Sequence, residues 1–369
     1  MSLSRRELLT ASALLLAGPG LALRASGRDA GSGAAPTVLC WNENPYGPGP
    51  AARAAVSRSI AAGCRYPSDA EIADLTAALA RHEGVTPAHI VPGTGSGELL
   101  RALGLLYGAG GGEIIAAAPT YGELPDYAKA RGARLTLVPV DDALRHDLPA
   151  MHAAVSGHTR AVYVCNPNNP TGTALSAADI GAFISSLPGS VLTIVDEAYM
   201  DFTTAAGVRS VADLVGGAHP VVVLRTFSKI HGMAGLRCGY AITTPDLAKT
   251  LADACMTTPN IYAVRAARAS LEDRAFLIAT RRRILASRVR ITTRLASLKL
   301  RYAEPQGNFV FFDTGMPLKQ FQDRLRERNI LVGRPFPPYE TWCRISVGTE
   351  PEVTAFLTAL AEVTSAAPA

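Results

Sequence analysis

Apolar runs bounded by glycine and proline alternate with helically spaced apolar positions through the first two thirds of the chain. Strand-like runs fall at Ile90-Val91, Glu113 to Ala117, Arg134 to Val138, Ala161 to Cys165, Val191 to Val195 and Val221 to Leu224. Between them lie helical patterns over Glu98 to Tyr107, Leu124 to Ala130 and Ala177 to Ser186, after a first one over Glu71 to His82. This alternation predicts βαβ units and a mostly parallel sheet. The runs 161–164, 192–195 and 221–224 are apolar at every position or nearly so, as central strands covered on both faces should be. Each ends in polar residues. Ligands of open α/β sheets gather beyond the carboxyl ends of the strands, so Asn166, Asp196 and the stretch Thr226 to Lys229 are expected to converge.

The last third has another rhythm: a long helical stretch from Ile261 to about Leu298, a strand at Phe309 to Phe312, a helix near Leu318 to Arg328, short strands at Ile330 to Val332 and Cys343 to Val347, and a final helix from Glu350. This reads as a smaller α+β domain. The predicted division is an arm over 35–65 that contributes to the small domain, a large domain over 66–255 and the small domain over 256–369.

At 369 residues, 48% hydrophobic and 18% charged, the chain has material for a sizeable core. The net charge of +5 is spread out, and its one tight basic run, Arg281-Arg282-Arg283, has no interleaved aromatics. A solvated helix face is expected there, not a nucleic-acid surface. Six separated cysteines without a C-x-x-C pair point to free thiols before a disulfide, and to no metal site. The first 34 residues differ from the rest. Arg5-Arg6 precede an apolar stretch interrupted by Gly18-Pro19-Gly20, followed by a Gly/Ala/Ser-rich run. This is too short and too broken to span a membrane stably and resembles a twin-arginine export signal, with cleavage after Ala22, Gly27 or Ala34. An exported, periplasmic protein is expected, or a cytoplasmic one if the signal does not function.

Four clusters carry the candidate chemistry. Pro92 to Glu98 follows a short strand and opens a helix; its glycines suit a backbone that cradles an anion, or simply a strand-to-helix turn. Cys165 to Gly172 is rich in turn formers at the end of a buried strand. Asp196, at another strand end, follows buried apolar residues and needs a partner for its charge. Lys229 sits beside hydroxyls on a glycine-rich loop, a poor packing residue and a good amine nucleophile once its pKa is lowered.

Together with N-E-N-P-Y, P-T-Y-G, A-G-L-R-C-G and R-I-S-V-G-T in order, the clusters N-P-N-N-P-T-G, D-E-A-Y and R-T-F-S-K resemble the fold type I aminotransferases, most closely the histidinol-phosphate aminotransferase family. The likeness runs from about Trp41 to Thr349. It implies pyridoxal 5'-phosphate as cofactor, joined to Lys229 as a Schiff base, and transfer of an amino group between an amino acid, or a histidinol phosphate-like amine, and a 2-oxo acid. By the same resemblance Asp196 pairs with the ring nitrogen, Asn169 and Tyr199 bond the phenolic oxygen, and Tyr121 stacks on the ring. Ser96, Gly97, Ser228 and Arg237 would hold the phosphate, with Tyr66 reaching in from the partner of a homodimer. Arg344 would take the substrate's anion, Asn44 and Tyr46 would close over it, and Arg334 would read a second anion or lie on a proline-rich surface loop. Gly97 departs from the family, where an acidic residue is common. His231 is expected to pack or cap its loop. A decarboxylase or lyase on the same scaffold is the alternative, and export leaves periplasmic amino-acid transamination as open as histidinol phosphate.

Overall fold

Strands that are apolar on both sides demand helices on both sides, and this governs the larger part of the fold. The structure is a computed structural model and describes residues 35–365; the expected export segment lies outside them. In chain order the elements are β1 (Thr37–Leu39), α1 (Pro50–Ser59), α2 (Asp69–Glu83), β2 (Ile90–Gly93), α3 (Ser96–Gly108), β3 (Glu113–Ala118), α4 (Glu123–Ala130), β4 (Arg134–Pro139), α5 (Leu148–Ala153), β5 (Thr159–Cys165) and α6 (Ala177–Ser186). There follow β6 (Leu192–Asp196), β7 (Val221–Thr226), β8 (Gly239–Ile242), α7 (Pro245–Ala254), α8 (Ile261–Glu272), α9 (Arg274–Ser297), β9 (Phe309–Asp313), α10 (Leu318–Arg326), β10 (Ile330–Val332), β11 (Trp342–Ser346) and α11 (Glu350–Ser365).

Seven strands form one sheet in the order β2-β8-β7-β6-β5-β3-β4. The strands from β7 to β4 are parallel neighbours, whereas β8 runs antiparallel to both β7 and β2. Side chains alternate between the two faces. Ala161, Tyr163, Leu192, Ile194, Val222 and Leu224 join α3, α4 and α7 in one core; Val162, Val164, Val195, Val221 and Val223 join α2, α6 and α8 in the other. The order reverses beside β3, whose successor β4 lies on one side and β5 on the other. The loops after β3 and β5 therefore part and open a crevice at the strand ends.

A further core forms from α9, α10, α11, β9 and β11, joined by Leu39 of β1. There β9 pairs antiparallel with β11, and β1 pairs parallel with β10, 293 residues later at the Thr37↔Ile330 register. The single helical stretch expected over residues 261–298 is two helices. They part at Asp273, whose carboxylate accepts from the Phe276 amide at 3.3 Å, starting α9, and from the Ala51 amide at 3.2 Å. The break lets α8 pack on the large sheet while α9 packs in the second core. Nor is the arginine run wholly solvated: Arg281 donates to the carbonyls of Asp201 and Thr203, while Arg282 and Arg283 are exposed. The six cysteines are unpaired. Among the described residues no helix is long and apolar enough to cross a membrane.

Candidate active site

Four sheet strands deliver their C-terminal loops to one place. Tyr121 follows β3, Asn169 follows β5, Asp196 ends β6 and Lys229 follows β7. Asp196 continues the face of Ile194, which is also the face of Tyr163, and the Tyr163 hydroxyl donates to Asp196 Oδ2 at 3.1 Å. The Ala198 amide donates to Oδ1 at 3.1 Å. Only 1% of Asp196 is exposed, and it forms no ion pair among the described residues. Burial raises its carboxyl to about 6, against the opposing pull of Ala198, Tyr163 and Lys229.

Lys229 is pushed down to about 8, first by burial and then by the Arg344 charge. Its Nζ donates to the carbonyl of Asn42 at 3.1 Å and lies 5.3 Å from the Tyr199 ring centre. Near neutrality it therefore keeps a usable fraction of free amine. The Tyr199 hydroxyl accepts from Asn42 Nδ2 at 3.1 Å and Asn169 Nδ2 at 3.4 Å. Tyr121 is half-buried, its hydroxyl pushed up by burial, Glu123 and Asp196.

Beyond the β2 end, the first turn of α3 meets the loop that leads into β8. Gly95 has φ 80°, a left-handed conformation that favours glycine, and a Cβ there would strike the Arg237 guanidinium. Arg237 donates to Ser228 Oγ at 3.3 Å and to its own loop at Ala234, with no acidic partner among the described ion pairs. Ser96 and Gly97 stand at the helix N-terminus, where free amides and the dipole favour an anion. A Cβ on Gly97 would lie 3.6 Å from Glu123 Oε1, so an acidic residue would face like charge here.

Arg344, buried on β11, meets only neutral acceptors among the described residues: Asn169 Oδ1 at 2.6 Å and the Cys40 carbonyl at 2.7 Å. Its Nε is buried without a hydrogen-bond partner among the described residues. The guanidinium lies 5.0 Å from the Phe336 ring centre, and that of exposed Arg334 lies 4.4 Å from the same ring. Phe336 belongs to a cluster with Phe311, Trp342 and Tyr339.

The family model for aminotransferase class I and II matches residues 35–360. The chain belongs to the class I and II aminotransferases. It is 37% identical over 331 residues to a histidinol-phosphate aminotransferase of Moorella thermoacetica, covering 88% of this chain and 84% of that one. It is 37% identical over 323 residues to an aromatic amino acid aminotransferase of Rhodococcus jostii, covering 86% of this chain and 88% of that one. The solved histidinol-phosphate aminotransferase of Sinorhizobium meliloti, in complex with pyridoxal 5'-phosphate, superposes with a TM-score of 0.82 at 31% identity, covering 89% and 90% of the two chains. Transamination with pyridoxal 5'-phosphate is thus the activity class, and decarboxylation or elimination is set aside.

The aminotransferase's residues fit that cofactor. Asp196 is a buried carboxylate with no ion pair among the described residues, Arg237 and the α3 N-terminus offer donors to an anion, and Lys229 feels the charges of both Asp196 and Arg237 and has its amine pKa lowered. Tyr46 packs apart from this cluster, and Tyr66, expected to act from the partner of a homodimer, stands outside it within one chain. Tyr66 is 93% exposed in the turn before α2. The Tyr46 ring lies 5.3 Å from the Arg283 guanidinium and packs in the second core, where burial and then Glu350 push its hydroxyl up. Asn44 is buried and fastens the arm to the lysine loop by donating to the Ile230 carbonyl at 2.8 Å. His231 meets Ser270 Oγ at 2.8 Å and stacks near Phe227, a packing role.

Sequence reasoning missed Asn42, Asn308 and Tyr163. Asn42 has φ 54° and touches Tyr199, Lys229 and Ser346, and Asn308 donates to the carbonyls of Asn42 and Glu43. An asparagine before the turn formers of N-E-N-P was the available signal, since asparagine tolerates the left-handed region. Nothing local marked Asn308 or Tyr163.

Proposed function

We propose that this aminotransferase takes amines that carry a planar ring together with an anionic group, aromatic amino acids first among them. The carrying observation is Arg344, a buried guanidinium with a bare Nε, held against the Phe336 and Phe309 rings. A carboxylate arriving there pairs with a charge that neutral oxygens meet only in part, and an aromatic side chain finds aromatic neighbours. Arg334 favours a second donor, histidinol phosphate, because its exposed guanidinium shares the Phe336 ring and has no acidic partner among the described residues. The names of the relatives support both donors.

When bound, pyridoxal phosphate supplies an electron sink for charge that develops at the substrate's α-carbon. In this reading Asp196 keeps the ring nitrogen protonated, and Tyr199 with Asn169 orients the phenolic oxygen. Tyr121 covers the ring face. Ser96, Gly97, Ser228 and Arg237 bind the phosphate, and Lys229 carries the proton on and off the α-carbon. A homodimer would bring the exposed Tyr66 of one subunit to the phosphate of the other, with 35–65, 66–255 and 256–369 as arm, large and small domains. Residues 1–34 would direct export, which cell fractionation tests.

The donor class is tested with single-turnover absorbance changes over a panel of donors. Arg344→Ala should lose roughly 2–5 kcal/mol with every carboxylate donor, because the anion is left without its partner. Arg334→Ala should weaken histidinol phosphate by a similar amount and leave phenylalanine and tyrosine nearly unchanged. Equal small effects of Arg334→Ala on all donors would remove the second reading.

A further inference from the structure

The segment Met256 to Asn260, between α7 and α8, touches both halves of the anion cradle. On one side stands Glu98, in the first turn of α3. Its Oε2 accepts from the Thr94 amide at 2.6 Å, while Oε1 accepts from the amides of Met256 and Thr257 at 3.1 and 2.8 Å and from Thr257 Oγ1 at 2.8 Å. The hydroxyls of Thr94 and Thr257 lie 2.8 Å apart. On the other side Asn260 Nδ2 donates to the Leu236 carbonyl at 3.0 Å, next to Arg237, while its Oδ1 accepts from the Ala263 amide and caps α8. One short strap is thus pinned to the turn before Ser96 and to the turn before Arg237.

The charge on Glu98 makes this arrangement informative. A carboxylate in the first turn of a helix that receives an anion should, by charge alone, oppose the anion. It is nevertheless held there as a carboxylate by several donors. Burial raises its pKa, and the donors from Thr94 and Thr257 outweigh that and hold it below the usual carboxylate value.

We infer that Glu98 is a positioning residue for the cofactor's phosphate: it fastens the Met256–Asn260 strap to Thr94 and so keeps the amides of Ser96 and Gly97 aimed at the phosphate. The inference rests on the assignment of the phosphate to this cradle. It makes a prediction opposite in sign to simple electrostatics. Glu98→Gln removes a negative charge but cannot accept all four bonds equally, since one oxygen becomes an NH2 that faces N–H donors. Phosphate binding should weaken even though repulsion falls.

The test measures binding of pyridoxal 5'-phosphate and of pyridoxal, which lacks the phosphate, to the cofactor-free full chain by absorbance titration. In Glu98→Gln the dissociation constant for pyridoxal phosphate should rise about tenfold, the scale of hydrogen bonds to a charged group, while that for pyridoxal stays within about twofold. Thr257→Val removes one arm of the strap with little risk to folding and should shift the pyridoxal phosphate constant about threefold in the same direction. Parallel weakening of both ligands, or tighter or unchanged binding of pyridoxal phosphate, would overturn the inference. If the wild-type chain shows no preference for pyridoxal phosphate over pyridoxal, the assignment of the cradle itself fails.

Discussion

Asp196→Asn separates the folding role of this carboxyl from its proposed role toward the cofactor. In the cofactor-free protein the carboxyl is buried and titrates at about 6 in place of 3.8. The folded state therefore binds the proton more tightly than the unfolded chain. The stability this confers is present in full below about pH 4 and is lost as pH rises through about 6. A displacement of about two pH units corresponds to about 3 kcal/mol, at about 1.4 kcal/mol per unit. Asparagine keeps an oxygen for the Ala198 amide and offers an NH2 to the Tyr163 hydroxyl, but carries no charge. Relative to wild type, the variant should gain about 3 kcal/mol of stability between pH 4 and pH 7. Urea unfolding of both cofactor-free proteins across that range measures the difference, and the other carboxyl groups cancel from it. With cofactor present the order reverses in function, and turnover should fall on the order of 10²–10⁴. A stability difference that does not change with pH would refute the desolvation argument, and near-normal turnover would reduce Asp196 to a structural residue.

Borohydride reduction of the cofactor-loaded protein should fix the cofactor on Lys229, and a label found by mass spectrometry on another lysine would sink that assignment. Because burial lowers the Lys229 amine to about 8, its capture of cofactor should speed up with rising pH and level off above about 8. Gly95→Ala should cripple cofactor binding, since the added carbon meets Arg237 at a left-handed φ. Gly97→Ala, whose added carbon makes an ordinary 3.6 Å contact, should leave stability within about 0.5 kcal/mol and binding unchanged; equal effects of the two would contradict the cradle geometry. Removing Arg288, whose guanidinium holds the carbonyls of Phe202 and Gly307, should destabilise the protein by about 3 kcal/mol in thermal melts.

The patterns legible in the chain were those written in local sequence. Doubly apolar strands have to be central, and polar residues placed after them have to meet at the strand ends, so Asn166, Asp196 and the stretch Thr226 to Lys229 could be gathered from the pattern alone, while Asn169 was named only through the family resemblance. The motif order carried the family as well. Long-range placement was another matter. Gly239 to Ile242 carries no sign that it runs antiparallel between β2 and β7, because direction is set by which edges remain open when the other strands have paired. Asn42 and Asn308 meet across 266 residues, and only packing of the arm against the β9 end brings them together. Periodicity continued through Asp273, but two different cores claim the helices on either side and the chain breaks where its carboxylate can cap both α9 and the start of α1. Tyr46 stood in a motif, yet its ring packs against the second core and the Arg283 guanidinium on α9, a placement that long-range packing decides and no local pattern shows. Sequence by itself determined which residues could do the chemistry; the tertiary structure decided which of them share a site, since contacts between distant segments depend on burial competed for by the whole chain and not on any local pattern.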